Sequence, residues 1–363
     1  MKRTALLCSF AFAGLLAVNL HAQTDSNPSP NFKVFLCFGQ SNMSGGNNDS
    51  PDSISRLRNP NIRVLAFQNC DSTDTTPKRT YNQWYQACEP MHCGDGNNSM
   101  GPSYAFGTAI ADSFPNDTIG LVPCGLWSCD IEKFMKNHTV PTACGPTLAN
   151  GPGTSANAYS WMLAKCLLAQ RRGIFTGIIL HQGESNNGQA NWPNKVDTIY
   201  KELKADLGLT HDVPLVAGEV LQVAGGGQTP CCASMNKIID SIPKFLPLGY
   251  VASSAGLKPG GSQPQYHFSD SSYHILGQRY AAQMMLGLAK VTAVKPAPRQ
   301  QIVSAASVIS QRDNARIYSL TGRFISTGSA MKNTKSFKPG IYVVANKTAD
   351  AGAKLMILGN TVQ

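Results

Sequence analysis

An uninterrupted apolar run followed at once by a glycine and a serine is the feature that most constrains this chain. Residues Val34 to Phe38 are apolar without alternation, and Gly39, Gln40 and Ser41 follow directly. Such a run predicts a strand that is buried on both faces, as in parallel sheets covered by helices. Open α/β sheets bind ligands outside the carboxyl ends of their strands. Ser41 is therefore predicted to lie where a nucleophile would be placed, although a helix-capping serine fits the same turn.

Further apolar runs alternate with helical patterns along most of the chain. The predicted strands are Val34–Phe38, Ile62–Phe67, Thr118–Val122, Gly177–Leu180 and Pro214–Gly218. The predicted helices are Ser103–Asp112, Ala156–Arg171, Asn194–Leu207, Ala233–Ile242 and Ser272–Ala289. Strands that alternate with helices favour βαβ units and a parallel sheet covered on both faces. The predicted fold class is therefore α/β.

Three motifs in a fixed order carry a resemblance to a known superfamily. They are Gly39-Gln-Ser-Asn-Met43, His181-Gln-Gly-Glu184 and the segment from Tyr266 to Ala281, in which a histidine precedes Leu-Gly-Gln-Arg-Tyr-Ala. Together they resemble the SGNH-hydrolase superfamily, and more narrowly its sialate O-acetylesterase and acetylxylan esterase branch, carbohydrate esterase family six. The resemblance implies a flavodoxin-like three-layer α/β/α domain with a parallel sheet, which we assign to residues 31–292.

The resemblance also implies a serine esterase with Ser41 as nucleophile and His267 as base. A serine hydroxyl needs a base within hydrogen-bond reach, and that base is usually oriented by a third group. Most SGNH enzymes carry an aspartate three residues before the histidine, where this chain has Pro264. We therefore assign the orienting role to Glu184, a glutamate that members of this branch are thought to use. Asp270 and a Ser–His dyad without an acid are the alternatives.

Three hydrogen-bond donors are predicted for the developing oxyanion: the backbone N–H of Ser41, the backbone N–H of Gly101 and the side chain of Gln182. Gly101 matches the second motif block of the family, and Gln182 stands where the wider superfamily has an asparagine. One such donor is typically worth about 2.7–4 kcal/mol. Trp84 and Trp127 lie in predicted loops where flat rings can stack on sugar faces, so they are the predicted substrate contacts.

The predicted function is a carboxylic ester hydrolase that removes O-acetyl groups from plant cell-wall polysaccharide. The predicted partner is acetylated xylan, as polymer or oligosaccharide, and the enzyme is of the acetylxylan esterase type with an acetyl-serine intermediate. One alternative is a sialate O-acetylesterase, whose substrate carries a carboxylate; Lys133 and Lys136 are the obvious basic pair near Trp127. Another is a carbohydrate-binding protein on an inactive esterase scaffold.

No metal and no cofactor are predicted, since the spacing from Cys88 to Cys93 does not support zinc.

The distribution of charge argues against nucleic acid as a partner. The chain carries a formal net charge of +10. Ten Lys and Arg against two Asp after residue 294 contribute +8 of this, and Lys2 and Arg3 contribute the rest, so the region between is near neutral. A neutral catalytic region gives no electrostatic case for nucleic acid or for a polyanionic substrate.

Both ends of the chain differ in kind from its middle. Residues 1–22 predict a bacterial-type signal peptide whose apolar stretch is too short for a membrane span, and hence a secreted or cell-surface protein. Residues 293–308 predict a linker. Residues 309–363 contain short strand patterns separated by turn residues, which predict a small β-sandwich module that serves in sorting or surface attachment.

Cysteine usage agrees with export. Cys37 and Cys166 lie in apolar patterns and are predicted to be buried thiols. The remaining cysteines after the signal form an even set suited to disulfides in an oxidising compartment. This set is Cys70, Cys88, Cys93, Cys124, Cys129, Cys144, Cys231 and Cys232.

Overall fold

The first predicted strand is the central strand of a seven-stranded sheet. The computed structural model describes residues 28–46, 61–68, 79–92, 100–138 and 158–293, together with four short strands between residues 316 and 358. The chain divides into two compact units, Met1–Val291 and Thr292–Gln363.

The first unit alternates strands and helices. Its strands are β1 (Ser29–Gly39), β2 (Val64–Phe67), β3 (Trp84–Gln86), β4 (Thr118–Gly125), β5 (Gly173–His181), β6 (Leu215–Gly218) and β7 (Gly249–Ala252). Its helices are α1 (Ser41–Ser44), α2 (Ser103–Ser113), α3 (Ala158–Gln170), α4 (Trp192–Asp206), α5 (Asn236–Ile239) and α6 (Asp270–Ala293). Short 3₁₀ turns occupy Ile131–Phe134, Glu184–Asn186, Ala233–Met235 and Ile242–Lys244.

The sheet has the order β3-β2-β4-β1-β5-β6-β7. The pairing of β2 with β3 is antiparallel, and the other neighbours pair in parallel. Gly39 at the end of β1 lies opposite Gly125 in β4 and His181 in β5. The carboxyl ends of these three strands therefore meet at one edge, which is where a parallel sheet of this kind presents its binding groups.

Helices cover both faces of the sheet because alternate residues of β1 point in opposite directions. Leu36 and Phe38 belong to one buried apolar cluster, together with residues of α3 and α4 such as Trp161. Phe35 and Cys37 belong to a second cluster, together with residues of α2 and α6 such as Phe106. This three-layer arrangement confirms the predicted α/β fold with a mostly parallel sheet.

The prediction of individual elements was wrong at one helix and incomplete at two strands. The predicted helix Ala233–Ile242 is broken into a 3₁₀ turn, the short helix α5 and a second 3₁₀ turn. Pro243 lies in the second turn and cannot donate the backbone hydrogen bond that an α-helix needs there. The strands β3 and β7 were not predicted.

The second unit contains β8 (Arg316–Ser319), β9 (Phe324–Thr327), β10 (Gly340–Ala345) and β11 (Lys354–Leu358). They form a four-stranded antiparallel sheet with the order β11-β10-β8-β9. The sandwich and its sorting role stay predictions. The predicted signal peptide lies outside the described residues, as does the predicted linker apart from Ala293, which ends α6.

Cysteine chemistry differs in part from the prediction. Cys37 and Cys166 are buried thiols, as predicted. Cys88 and Cys124 also carry free thiols, so their predicted place in disulfides is wrong. Cys231 and Cys232 are joined to each other by a disulfide between neighbouring residues. Cys70, Cys93 and Cys144 lie outside the described residues.

Within the described part of the chain, no helix is both long enough and apolar enough to cross a membrane. The same residues contain no cluster of three or more His, Cys, Asp or Glu side chains placed to hold a metal ion.

Candidate active site

Ser41 lies at the carboxyl end of the central strand and opens a single helical turn. The backbone N–H of Gln40 donates to the carbonyl of His181 at 2.9 Å, and Leu126 donates to the carbonyl of Gly39 at 2.8 Å. These bonds fix the chain between β1 and α1 to both neighbouring strands. The Ser41 side chain is consequently held at the edge where β1, β4 and β5 end, as predicted from the sequence.

Gly39 is required for this turn. Its φ is +143°, and a Cβ atom at this position would lie 2.0 Å from the carbonyl oxygen of His181. A side chain would therefore meet both an unfavourable backbone conformation and the neighbouring strand. The glycine lets the strand end close to β5 and turn directly into the residue that carries the hydroxyl.

The structure brings Ser41 and His267 together. The Oγ of Ser41 lies 3.0 Å from the Nε2 of His267, within hydrogen-bond distance. His267 stands in the loop before α6, 226 residues along the chain. Ser41 is 7 % exposed and His267 is 3 % exposed. A hydroxyl and an imidazole in this geometry can exchange a proton, which is the first requirement for nucleophilic catalysis by serine.

Among the described residues, no carboxylate is hydrogen-bonded to the Nδ1 atom of His267. The Nδ1 atom of His267 is buried and has no hydrogen-bond partner among the described residues. Asp270 is the first residue of α6, and its negative charge stabilises the N-terminus of that helix. The described contacts form a Ser–His pair, and the choice among Glu184, Asp270 and a dyad without an acid stays a prediction.

Glu184 contacts Asn42 instead of His267. Its Oε1 atom accepts a hydrogen bond from the Nδ2 of Asn42, and it lies 3.8 Å from the Nε2 of His181. Burial raises the pKa of Glu184 to about 7, and the hydrogen bond from Asn42 acts in the opposite direction. Burial also lowers the pKa of His181 to about 3, so this imidazole is neutral and does not compensate a carboxylate charge.

The side chain of Gln182, one of the three predicted oxyanion donors, is engaged elsewhere. The Nε2 of Gln182 lies 2.6 Å from Asn186 Oδ1 and 3.0 Å from Gln40 Oε1, and its Oε1 accepts from Trp192 Nε1 at 2.5 Å. This buried amide therefore supports the turn before Ser41. The remaining candidates are backbone groups.

Gly101 lies against α1, the helical turn that begins with Ser41. A Cβ atom at Gly101 would lie 2.4 Å from the carbonyl oxygen of Met43 in α1. However, the N–H of Gly101 is hydrogen-bonded to the carboxyl group of Glu89. Burial raises the pKa of Glu89 to about 8, and the hydrogen bonds from the N–H groups of Met91 and Gly101 lower it. The N–H of Ser41, in the first turn of α1, has no partner within the helix, and it stays a predicted oxyanion donor.

The two tryptophans predicted to contact substrate lie in different places. The ring of Trp127 is half-buried beside Ser41 and His267, with its centroid 6.2 Å from that of the His267 ring. Trp84 is part of β3, where its ring packs against Phe32 and Phe67 at centroid distances of 5.0 and 5.1 Å. Phe32 lies near the start of β1, at the end of the strand opposite Ser41, so the structure does not bring Trp84 to the site.

Three residues that were not predicted surround the pair. Asn42 is fully buried and donates to the carbonyl of Tyr266 at 2.9 Å, while Tyr273 OH donates to Asn42 Oδ1 at 2.6 Å. Gly46 donates its N–H to Tyr273 OH at 3.3 Å. Asn42 belongs to the first motif, which was a local signal for its importance. Tyr273 lies within the third motif, whereas nothing local marks Gly46, whose role depends on contacts across the fold.

Gly46 has no room for a side chain, and this gives a first prediction. A Cβ atom there would lie 2.4 Å from Cδ2 and 2.5 Å from Nε2 of His267. We expect Gly46→Ala to displace the imidazole from Ser41 and to lower kcat by about 10²-fold, the cost of a misplacement of about 1 Å. The measurement is steady-state hydrolysis of an acetyl ester together with the midpoint of thermal unfolding. Gly188→Ala, at a position where φ is +79° and no atom lies within 4 Å, controls for the stability that replacing a glycine costs without a steric clash. Unchanged kcat in Gly46→Ala would show that His267 is not held where the structure places it.

A second prediction concerns the pH dependence of the reaction. Burial lowers the pKa of His267 to about 4. A base must be neutral to accept a proton, so activity is lost as the pH falls through the pKa of this imidazole. We expect the acidic limb of kcat/KM, which reports the free enzyme, near pH 4 and well below the ordinary histidine value of about 6.5. A limb near 7 would instead indicate that an ionised carboxylate supports His267.

The sheet order and the contact between Ser41 and His267 define a class of protein: an α/β domain with a Ser–His pair at the carboxyl edge of a mostly parallel sheet. The family model described as "Carbohydrate esterase, sialic acid-specific acetylesterase" matches residues 31–286. This match covers more than half of the chain, and the protein belongs to this family of carbohydrate esterases. The resemblance predicted from the sequence is thereby confirmed.

Individual relatives are more distant. A probable carbohydrate esterase from Arabidopsis thaliana is 24% identical over 211 residues, which are 55% of this chain and 73% of that protein. An Arabidopsis thaliana protein of known structure superimposes with a TM-score of 0.52 at 22% identity, over 71% of this chain and 99% of the other. The crystal structure of NanS gives a TM-score of 0.55 at 14% identity, over 73% and 100% of the two chains. At these identities the structural likeness concerns the fold.

Proposed function

We propose that this carbohydrate esterase removes O-acetyl groups through an acetyl-Ser41 intermediate. The observation that carries the proposal is the distance of 3.0 Å between Ser41 Oγ and His267 Nε2 at the carboxyl end of the central strand. The family supplies the class of reaction, and this contact supplies a nucleophile with its base.

The proposed reaction has two halves. In the first, His267 Nε2 takes the proton of Ser41 as Oγ attacks the carbonyl carbon of the acetyl ester. The tetrahedral intermediate collapses, the sugar oxygen leaves with the proton from His267, and acetyl-Ser41 remains. In the second half, His267 takes a proton from water, the hydroxide attacks the acetyl carbon, and acetate leaves as Oγ recovers its proton.

The two lysines that follow Trp127 in the sequence, Lys133 and Lys136, are each paired with an acid, and this favours a neutral sugar as substrate. Lys136 Nζ lies 2.8 Å from Asp206, and Lys133 Nζ lies 3.6 Å from Asp130, so both members of the basic pair near Trp127 are matched by acids. Trp127 offers an aromatic surface beside His267, a surface on which the apolar face of a sugar can stack. We propose acetylated plant cell-wall polysaccharide, of the xylan type, as the substrate of an exported enzyme.

The family description favours a second candidate, O-acetylated sialic acid. A sialate carries a carboxylate, which calls for an unmatched cation in the pocket. The two candidates are separated by measuring acetate release from acetylated xylan and from O-acetylated sialic acid at equal ester concentration, with Ser41→Ala as the blank. Faster Ser41-dependent release from xylan supports the proposal, and faster release from the sialic acid overturns its substrate. Binding of either sugar without any Ser41-dependent acetate release would show an inactive scaffold and overturn the proposed reaction.

A further inference from the structure

A buried hydrogen-bonded network connects the segments that carry Ser41 and His267, and Asn42 is its central member. Its amide has two N–H groups and one oxygen, and all three are used. Nδ2 donates to Glu184 Oε1 and to the carbonyl of Tyr266, and Oδ1 accepts from Tyr273 OH. A backbone carbonyl can only accept, so the Tyr266 contact also fixes which end of the amide carries the nitrogen.

This amide ties together the two segments that carry the catalytic groups. Asn42 follows Ser41 in α1, and Tyr266 directly precedes His267. The hydrogen bond of 2.9 Å between Asn42 and the Tyr266 carbonyl therefore sets how far the histidine loop stands from the nucleophile. Tyr273 adds a second tie, because its hydroxyl bonds both to Asn42 and to the N–H of Gly46, whose backbone packs against the imidazole.

Glu184 joins this hydrogen-bonded network through Asn42 and makes no hydrogen bond to His267. Its second oxygen, Oε2, is buried without a hydrogen-bond partner among the described residues, and so is Nδ1 of His267. A carboxylate that oriented the imidazole would satisfy both atoms with one hydrogen bond. The carboxyl group and the imidazole are therefore not hydrogen-bonded to each other, and the side-chain hydrogen bond of Glu184 is the one with the Asn42 amide.

We propose that Glu184 and Asn42 are positioning residues: Glu184 orients the Asn42 amide, and that amide sets the separation of Ser41 from His267. The inference rests on the proposed function, since it concerns the same pair. It assigns Glu184 a role without proton transfer and without contact with the imidazole. Either protonation state of the carboxyl presents an oxygen to Asn42, so the role does not require a charge.

A series of variants separates this role from that of a triad acid. Glu184→Gln keeps a carbonyl oxygen for Asn42, so we expect kcat/KM within about tenfold of wild type, the difference between a charge-assisted and a neutral hydrogen bond. Glu184→Ala removes the acceptor that orients the Asn42 amide, and Asn42→Ala removes the hydrogen bond to the Tyr266 carbonyl. We expect each variant to lower kcat by about 10²-fold with little change in KM. The double alanine variant should be no slower than Asn42→Ala alone, because Glu184 acts through Asn42. The acidic limb of the pH profile should be the same in Glu184→Gln and wild type.

Glu219→Ala is the matched control. Glu219 is a second buried glutamate at the same sheet edge, and its Oε2 accepts hydrogen bonds of 2.6 Å from Ser253 and Ser254. We expect its removal to lower the thermal midpoint while kcat stays near the wild-type value, which separates lost stability from lost positioning.

Two results would overturn the inference. A loss of about 10⁴-fold in Glu184→Gln, the size seen when a triad acid becomes an amide, would make Glu184 the partner of His267. Losses that multiply in the double variant would show that Glu184 and Asn42 act independently. Activity that survives in Ser41→Ala would instead refute the proposed function, so the two failures are distinguishable.

Discussion

Replacing Ser41 by alanine is expected to lower kcat/KM for an acetyl ester by about 10⁴- to 10⁶-fold, the range observed when a serine nucleophile is removed. The change deletes the one atom that attacks the acetyl carbon and leaves the rest of the site in place. Because the side chain is small and its hydrogen bond to His267 is the contact that is lost, the thermal midpoint should change little. The measurement is initial-rate acetate release, with circular dichroism to verify folding.

Ser44→Ala is the matched control for this variant. Ser44 lies in the same helical turn, is also buried, and donates its hydroxyl to the backbone carbonyl of Ser41 at 3.3 Å. We expect it to keep most of the wild-type rate. Equal losses in the two variants would mean that the turn is being disturbed as a whole, and full activity in Ser41→Ala would remove Ser41 from the reaction.

Replacing His267 by alanine is expected to cost about as much as replacing Ser41. A hydroxyl that has lost its base is a weak nucleophile, and groups that act as one unit are strongly non-additive, with single losses of about 10⁶-fold known for a serine or its histidine. The double variant Ser41→Ala/His267→Ala should therefore be no slower than either single variant. The comparison requires the three rates under one set of conditions.

His274→Ala controls for the loss of an imidazole near this part of the chain. His274 lies on the exposed side of α6 and contacts Gln278 at 3.2 Å. We expect it to behave like wild type. If His274→Ala lost activity and His267→Ala did not, the base would have been assigned to the wrong histidine. If Ser41→Ala/His267→Ala were far slower than both single variants, Ser41 and His267 would not act as one unit.

Local patterns were sufficient to predict the elements that carry Ser41 and the sheet around it. The unbroken apolar run of β1 could only be a strand buried on both faces, and the glycine after it marked the turn. The strand β3 escaped prediction because it is only three residues long. Trp84 was consequently assigned to a loop, whereas its pairing with Phe67 at the sheet edge gives it a packing role. Length does not explain the miss of β7, since β2 and β6 also have four residues.

The support of the catalytic pair could not be predicted in the same way. The contacts of Asn42 with Glu184 and Tyr273 join residues 142 and 231 positions apart, and no local pattern specifies them. The resemblance favoured Glu184 as the group that orients His267, with Asp270 and a dyad without an acid as the alternatives. Which group an acid actually meets is decided by how β5 and the histidine loop lie around α1, and this depends on the packing of the whole sheet.

The most direct test of the account is to identify the residue that carries the acetyl group during turnover. The protein would be mixed with an activated aryl acetate, quenched in acid within the first turnovers and digested for peptide mass spectrometry. The account predicts an acetyl group on Ser41 in wild type and none on that peptide in Ser41→Ala. An acetyl group on a different residue, or acetate release by Ser41→Ala at the wild-type rate, would contradict it.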